Sequence, residues 1–225
     1  RDVAFGIATA VSGDRVTMTN HPWSFSIDAL RTGLGAARVR VLNDFEALAH
    51  AVPVLPASDL QAVGGGAAVP GAALAVIGPG TGLGVSGLVS DGHGGWRVVV
   101  GEGGHVTMPA CTTREASLLA VLRERFGHVS AERTVSGQGL VNLYEAACVL
   151  DGETPAALLP AQVLAQSRPG AAQHDTQCEE AVKTFAAMLG TVAGNLALTL
   201  GARGGVFIGS GIVPRQGERF ASLPF

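Results

Sequence analysis

Short apolar runs that end in glycine-rich or polar turns constrain this sequence more than any other feature. Runs of this kind are typical of strands buried inside a sheet. Stretches with helical patterns alternate with them, an order that predicts an α/β fold with its sites at the ends of strands. The turns after the four clearest runs begin at Asn43, Gly78, Gly101 and Gly209.

The composition excludes several classes of protein. Hydrophobic residues make up 47% of the 225 residues and charged residues 15%, so the chain is too apolar and too weakly charged to be disordered. A formal net charge of −3 provides no basic footprint for nucleic acid, and the 32 glycines follow no collagen period. No uninterrupted apolar run reaches about 18 residues, so we expect no transmembrane helix.

The three cysteines, Cys111, Cys148 and Cys178, are odd in number and far apart in the sequence. This spacing supports neither a disulfide framework nor a Cys-x-x-Cys metal site. It favours a reducing, cytoplasmic setting.

Local patterns place the secondary structure along the chain. The predicted strands cover residues 3–8, 15–18, 39–42, 73–77, 85–89, 96–100 and 205–208. The predicted helices cover residues 27–34, 45–52, 112–126, 139–150, 160–167 and 175–200. Ser26 is a candidate N-cap, and Thr112 and Glu115 form a candidate capping box. The turn at 91–95 predicts that the strands on either side of it form a hairpin.

Asn43-Asp44 closes the third predicted strand and precedes a predicted helix. A carboxylate at such a position can accept the proton of a substrate hydroxyl while the neighbouring amide binds another hydroxyl. Aspartate at such a position is also common as a helix N-cap, a role that needs no substrate. The residues alone leave a general base and a structural cap as alternatives for Asp44.

Gly80-Thr81-Gly82-Leu83-Gly84 follows the fourth predicted strand. Glycines let backbone N–H groups approach an anion closely, and the Thr81 hydroxyl adds a donor. The spacing matches neither a P-loop nor a dinucleotide-binding fingerprint. A phosphate-binding loop and a tight β-turn both fit this segment.

Glu102 and His105 lie in the segment Gly101-Glu102-Gly103-Gly104-His105, and Glu132 lies further along the chain. Two carboxylates and an imidazole among glycines suit the binding of sugar hydroxyls, because they combine acceptors with a group that can also donate. The alternatives are a core histidine with satisfied hydrogen bonds and a solvated glutamate on a helix. A metal site is a further alternative, but the His-x-x-x-His spacing and a nearby third ligand are missing.

Gly209-Ser210-Gly211 follows the last predicted strand and precedes a predicted helix start. Such a turn suits the close approach of a nucleotide. It equally suits a strand that must pack tightly against its neighbours.

Several segments, taken in order, carry a resemblance to a known family. They are Thr19-Asn20-His21-Pro22-Trp23, Asn43-Asp44-Phe45, Gly80-Thr81-Gly82-Leu83-Gly84, Gly101-Glu102-Gly103-Gly104-His105, 128–133, 136–140, and 204–208 with 211–215. They span nearly the whole chain and resemble the bacterial glucokinase family, within the actin-like superfamily of sugar kinases. The resemblance implies two α/β lobes that close over a cleft.

The resemblance also implies ATP-dependent phosphorylation of glucose at its 6-hydroxyl, with Mg²⁺ accompanying ATP. By matching position, Asp44 is the general base. The residues implied to hold the sugar are Asn43, Asp44, Glu102, His105 and Glu132. Those implied to lie near ATP are Gly80, Thr81, Gly82, Gly84, Gly209, Ser210 and Gly211. No residue of this sequence is implied as a metal ligand.

The family pattern further implies an organisation for the chain. Residues 1–50 correspond to the remainder of a small N-terminal α/β lobe, and residues 51–225 correspond to a larger C-terminal lobe. A cytoplasmic homodimer is implied, with glucose and ATP as its partners and with neither nucleic acid nor a membrane.

The sequence departs from the family pattern at both ends. It starts at Arg1, beyond the family's Asp-x-Gly-Gly-Thr phosphate loop, and only ten residues follow Val213-Pro214-Arg215. We therefore expect a piece of a longer protein. The alternatives to a glucokinase are a kinase for another hexose and a non-catalytic or truncated sugar-binding remnant.

Overall fold

The structure is a computed structural model that describes residues 1–18 and 21–225. Its strands are β1 (Asp2–Ile7), β2 (Arg15–Thr17), β3 (Ser24–Ser26), β4 (Arg38–Asn43), β5 (Leu74–Pro79), β6 (Leu83–Ser90), β7 (Trp96–Gly101) and β8 (Gly205–Ile208). Its α-helices are α1 (Ile27–Gly33), α2 (Asp44–Ala51), α3 (Thr113–Phe126), α4 (Gly137–Leu150), α5 (Pro160–Gln166) and α6 (Thr176–Leu200). Thr19 and Asn20, which open the first segment of the family resemblance, lie outside the described residues.

The predicted strands and helices are present, with their ends shifted by no more than two residues. The predicted caps are confirmed as well. The Ala29 N–H donates to Ser26 Oγ (3.0 Å), and Thr112 and Glu115 form a capping box. β3 has no counterpart among the predicted strands, and its last residue, Ser26, is the predicted cap of α1. It pairs antiparallel with β2.

The largest sheet has the strand order β7-β6-β5-β8. β6 and β7 form the predicted hairpin, β5 and β6 are also antiparallel, and β5 and β8 run parallel. A separate pair, β1 and β4, is parallel and ends with Ile7 opposite Asn43. Because β5 and β8 run in the same direction, the turns that follow them lie at the same edge of the large sheet.

Alternating side chains of β5 contribute to two cores. Leu74 and Val76 belong to a small core that includes Ala49 of α2. Ile77 belongs to a larger core formed with residues of α3, α4 and α6. The large sheet is therefore a middle layer, with α2 on one face and the remaining long helices on the other. This layering places the first residue of α2 beside the β5–β6 turn.

Helix α6 is the longest element, with 25 residues. By length and composition alone it could cross a membrane, although polar residues interrupt its apolar stretches, and 44% of its most apolar 18-residue window is buried. Core helices of water-exposed proteins pass the same test. Here the buried side chains of Val182, Phe185 and Leu189 lie in the larger core with Leu143 of α4.

Tyr144, the single tyrosine of the chain, provides a test of this core. It is 3% exposed, and burial raises the pKa of its hydroxyl to about 12. The folded state favours the neutral hydroxyl, and this contribution to stability is fully present below pH ~10, the ordinary pKa of tyrosine. It is lost as the pH rises from there through the pKa of Tyr144 in the folded protein. We expect near-ultraviolet absorbance to show tyrosinate forming near pH 12 in the folded protein and near pH ~10 in denaturant.

Circular dichroism at each pH would show whether the fold persists through that titration. If the protein instead unfolds above pH ~10 as Tyr144 ionises, the loss of stability reflects the same difference in pKa between the folded and unfolded states. A folded protein whose tyrosine ionises near pH ~10 would contradict the described burial of Tyr144.

Candidate functional site

A cleft of about 250 Å³ opens between the start of α2 on one side and β6 and β7 on the other. Its lining residues are Ala10, Val11, Asn43, Asp44, Phe45, Glu46, Leu83, Gly84, Val85, Val100, Gly101 and Glu102. The cleft thus brings Glu102, which follows β7, together with Asn43 at the end of β4 and Asp44 at the start of α2. Glu102 is 59 positions from Asn43 and 58 from Asp44 in the sequence.

Asn43 is the residue that caps α2. Its Oδ1 accepts from the Phe45 N–H (2.9 Å) and more weakly from the Glu46 N–H (3.4 Å). Its Nδ2 donates to the Thr9 carbonyl (3.3 Å), which ties the end of β4 to the segment after β1. The alternative in which Asp44 is the N-cap is therefore wrong, because the preceding amide already fills that position.

Asp44 is the first residue of α2 and is exposed. Its Oδ1 accepts from the Phe45 N–H (3.0 Å), and the side chain lines the cleft. Because Asn43 performs the capping, the carboxylate is left accessible to a ligand. A base at this position can take a proton from a bound hydroxyl.

Phe45 fixes the position of α2 on the large sheet. A Cβ atom added at Gly84 would overlap the Phe45 ring, and one added at Gly78 would lie 2.7 Å from its Cζ. Gly78 and Gly84 are opposite each other in the β5–β6 pairing. The ring therefore rests on a pair of glycines and holds the neighbouring Asp44 beside β6.

This role of Phe45 was not predicted from the sequence, although a signal for it is present. Glycine occupies every second position at 78, 80, 82 and 84. Gly78 and Gly84 lie in the paired strands and both meet Phe45, whereas Gly80 and Gly82 lie in the turn. The useful signal is therefore the pair of glycines on either side of the turn, which leaves space on the hairpin for a close-packed ring.

The segment 80–82 is a tight turn between β5 and β6, which agrees with the second of the two interpretations of this segment. The Gly80 N–H donates to the Gly82 carbonyl (2.8 Å), and the Gly80 carbonyl accepts from the Gly137 N–H (2.8 Å). Thr81 is exposed at the tip. The turn is thus anchored to the start of α4, and its role toward phosphate stays a prediction.

A short 3-10 helix, Gly103–His105, follows β7; Glu102 precedes it and His105 is its last residue. The His105 Nε2 and Glu102 Oε2 atoms are 3.9 Å apart, and the two side chains are 63% and 73% exposed, respectively. The alternative of a core histidine is therefore wrong. A Cβ added at Gly104 would overlap the Leu83 carbonyl, so the helix that carries these groups packs directly on β6.

Glu132 lies in the 3-10 helix Ala131–Arg133 and is half-buried. Its Oε2 accepts from the Leu83 N–H at 2.9 Å. The alternative of a solvated glutamate is therefore wrong, since the carboxylate reaches the residue that follows the glycine turn. Among the described residues, no group of three His, Cys, Asp or Glu side chains is placed to hold a metal ion.

Gly209-Ser210-Gly211 follows β8 and lies against the β5–β6 turn. The Gly209 N–H donates to the Ile77 carbonyl (2.9 Å), and a Cβ added at Gly80 would lie 2.6 Å from Ser210 Oγ. Ser210 has φ 69°, a left-handed conformation that favours glycine. The predicted helix start after this turn consists of 3-10 turns within Pro214–Ser222, interrupted by a kink at Gly217. The two segments predicted to lie near ATP are therefore neighbours.

The fold matches those of solved sugar kinases. A glucokinase from an Antarctic psychrotroph superposes with a TM-score of 0.88 at 35% identity, over 98% of this chain and 67% of that one. A ROK family glucokinase from Streptomyces griseus, solved in complex with glucose and AMPPNP, superposes with a TM-score of 0.59 at 19% identity, over 93% of this chain and 65% of that one. The chain has the mixed α/β fold of the sugar kinases.

The family whose model matches residues 1–225 is described as Glucokinase, and this chain belongs to it. The glucokinase of Chromobacterium violaceum is 54% identical over 222 residues, which cover 99% of this chain. The chain spans 63% of the length of that relative.

Proposed function

We propose that this chain carries the sugar-binding cleft of a glucokinase, which transfers a phosphoryl group from ATP to the 6-hydroxyl of glucose. The observation that supports this most directly is the cleft itself, in which Asp44 lies with Asn43 and Glu102. Membership of the glucokinase family supports glucose as the sugar and ATP as the donor.

In this proposal, Asp44 accepts the proton of the 6-hydroxyl as that oxygen attacks the phosphoryl group. Phosphoryl transfer needs mainly positioning and charge stabilisation, so the placement of Asp44 by the Asn43 cap and the Phe45 ring is the protein's main contribution on this side of the cleft. The exposed carboxylate is free to meet a substrate because it does not cap the helix.

The remaining predicted groups hold the sugar. Asn43 and Glu102 line the cleft, whereas His105 and Glu132 do not. The His105 Nε2 atom lies 3.9 Å from Glu102 Oε2, and Glu132 accepts from the N–H of Leu83, which lines the cleft. A sugar epimer that fails to pair with one of these groups leaves it unsatisfied, at a cost of ~1–3 kcal/mol. Several such groups together favour one hexose over the others.

The nucleotide lies at the two adjacent glycine turns. Gly80, Thr81 and Gly82 form one turn, Gly84 follows it, and Gly209, Ser210 and Gly211 form the other. The close contact between Gly80 and Ser210 supports a single site at the shared edge of β5 and β8, where ligands of α/β folds bind. ATP supplies the transferred phosphoryl group when bound. Mg²⁺ is assigned to no residue, because the described residues offer no cluster of metal ligands.

We also propose the two-lobed, actin-like organisation, with residues 1–50 in the smaller lobe and 51–225 in the larger. The cleft supports this, because its lining comes from both ranges. Helix α2 crosses the proposed boundary and packs on the large sheet. A homodimer and a cytoplasmic location belong to the same proposal and rest on the family resemblance.

The test is ATP consumption by this polypeptide with glucose as the only added sugar, with mannose and N-acetylglucosamine added singly for comparison. We expect turnover with glucose and much less with either other sugar. Turnover with another hexose alone would replace glucose as the substrate. Glucose binding without turnover would reduce this chain to a sugar-binding piece. The absence of both glucose binding and turnover would overturn the proposal.

A further inference from the structure

We propose that Glu132 is a positioning residue that couples sugar binding to nucleotide binding. In this inference, which rests on the proposed function, one carboxylate oxygen holds the nucleotide turn at Leu83 while the other receives a sugar hydroxyl. The two ligands then bind more tightly together than either does alone.

The first observation is the contact between Glu132 and the turn. Oε2 accepts from the Leu83 N–H at 2.9 Å across 49 positions of sequence. A Cβ added at Gly82 would overlap this same oxygen. Gly82 does not have a positive φ, so its backbone conformation does not require glycine. A side chain at position 82 would instead displace the Glu132 carboxylate.

The second observation is that the other end of the turn is attached to the same segment of chain. The Gly137 N–H donates to the Gly80 carbonyl at 2.8 Å, and Ser136 Oγ donates to the Glu132 carbonyl at 2.8 Å. Residues 132–137 therefore hold both ends of the turn at 80–82. Both ends of the turn are thus tied to the segment that carries Glu132, and the carboxylate itself contacts the turn at Leu83.

The third observation is that this segment is rigidly supported from the core. Asn142 is fully buried, and its Nδ2 donates to the Arg133 carbonyl at 2.8 Å. The Arg133 guanidinium lies 4.3 Å from the centre of the Phe126 ring. Because the backbone of Glu132 is held in place, a ligand that moves its carboxylate also acts on the Leu83 N–H bonded to it.

The consequence is a reciprocal coupling between two ligands. A sugar hydroxyl bound to the free oxygen restricts Glu132 to the arrangement that also places the turn, and a nucleotide on the turn favours the same arrangement. Glucose must therefore raise nucleotide affinity by the same factor by which the nucleotide raises glucose affinity.

The experiment is titration calorimetry of the 225-residue chain with AMPPNP and Mg²⁺, without glucose and at saturating glucose. We expect glucose to tighten AMPPNP binding by roughly 5-fold or more, within the usual range for coupled sites. In Glu132→Ala the factor is expected to fall close to 1, and Glu132→Gln, which keeps an acceptor for the Leu83 N–H, is expected to retain part of it.

A second variant leaves Glu132 in place. Gly82→Ala inserts a methyl group where the carboxylate oxygen lies, so it is expected to separate the carboxylate from Leu83 and to lower the coupling factor while glucose still binds. Gly194→Ala is the matched control, because a Cβ there meets nothing within 4 Å, and it is expected to keep the parent factor.

The outcomes separate this inference from the proposed function. If the parent binds both ligands with a factor of 1, or if Glu132→Ala and Gly82→Ala keep the parent factor, the coupling role is overturned while the glucokinase proposal stands. If the parent binds neither ligand, the proposed function fails, and the coupling fails with it.

Discussion

Replacement of Asp44 by Asn is expected to lower the turnover number by ~10²–10⁴-fold, the usual contribution of a general base. Asparagine has nearly the same shape and keeps an oxygen that can accept from the Phe45 N–H, so the start of α2 is expected to persist. It cannot take a proton from the 6-hydroxyl. We therefore expect the affinity for glucose to change little.

The measurement is the glucose-dependent rate of ATP consumption, with the glucose dissociation constant determined separately by calorimetry. Asp28→Asn is the matched control, since Asp28 is also an exposed carboxylate in the first turn of a helix but pairs with Arg31 of α1. The control is expected to keep the parent rate. Comparable turnover in Asp44→Asn and the parent would refute the assignment of the base.

Replacement of Gly84 by Ala is expected to cause the largest loss of stability. The added methyl group would overlap the Phe45 ring, so the ring, which is packed against the core that includes Ala49 of α2, must move. Overpacking of this kind costs ~1–3 kcal/mol. For a chain of this length, that corresponds to a fall in melting temperature of roughly 2–12 °C.

Thermal unfolding followed by circular dichroism measures this effect, and Gly194→Ala is again the control. Gly194 lies within α6 and is open to solvent, so alanine there is expected to stabilise the helix by up to ~1 kcal/mol. Because Phe45 adjoins Asp44, Gly84→Ala is also expected to reduce glucose-dependent turnover. Equal melting temperatures for Gly84→Ala and the parent would contradict the described packing of the Phe45 ring on Gly84.

Local signals determined much of the fold. The capping box at Thr112 and Glu115 joins residues three positions apart, and the hairpin of β6 and β7 is marked by the turn at 91–95, so each lies within one stretch of sequence. The cap of α2 shows where such signals stop being sufficient. Asn43 and Asp44 are adjacent and equally suited to capping, and the end of β4 opposite Ile7 decides that Asn43 takes the position.

Strand ends also predicted the candidate site, since Asn43, Asp44 and Glu102 were identified from the turns in which they lie. Their meeting in one cleft depends on how the two sheets are placed, which no single segment encodes. The hydrogen bond from Leu83 to Glu132 and the seat of Phe45 on Gly84 join distant positions. Residue type and spacing determined which groups could carry the chemistry. Only tertiary packing decided which of them touch, because contacts between distant segments depend on the shape and register of everything packed between them.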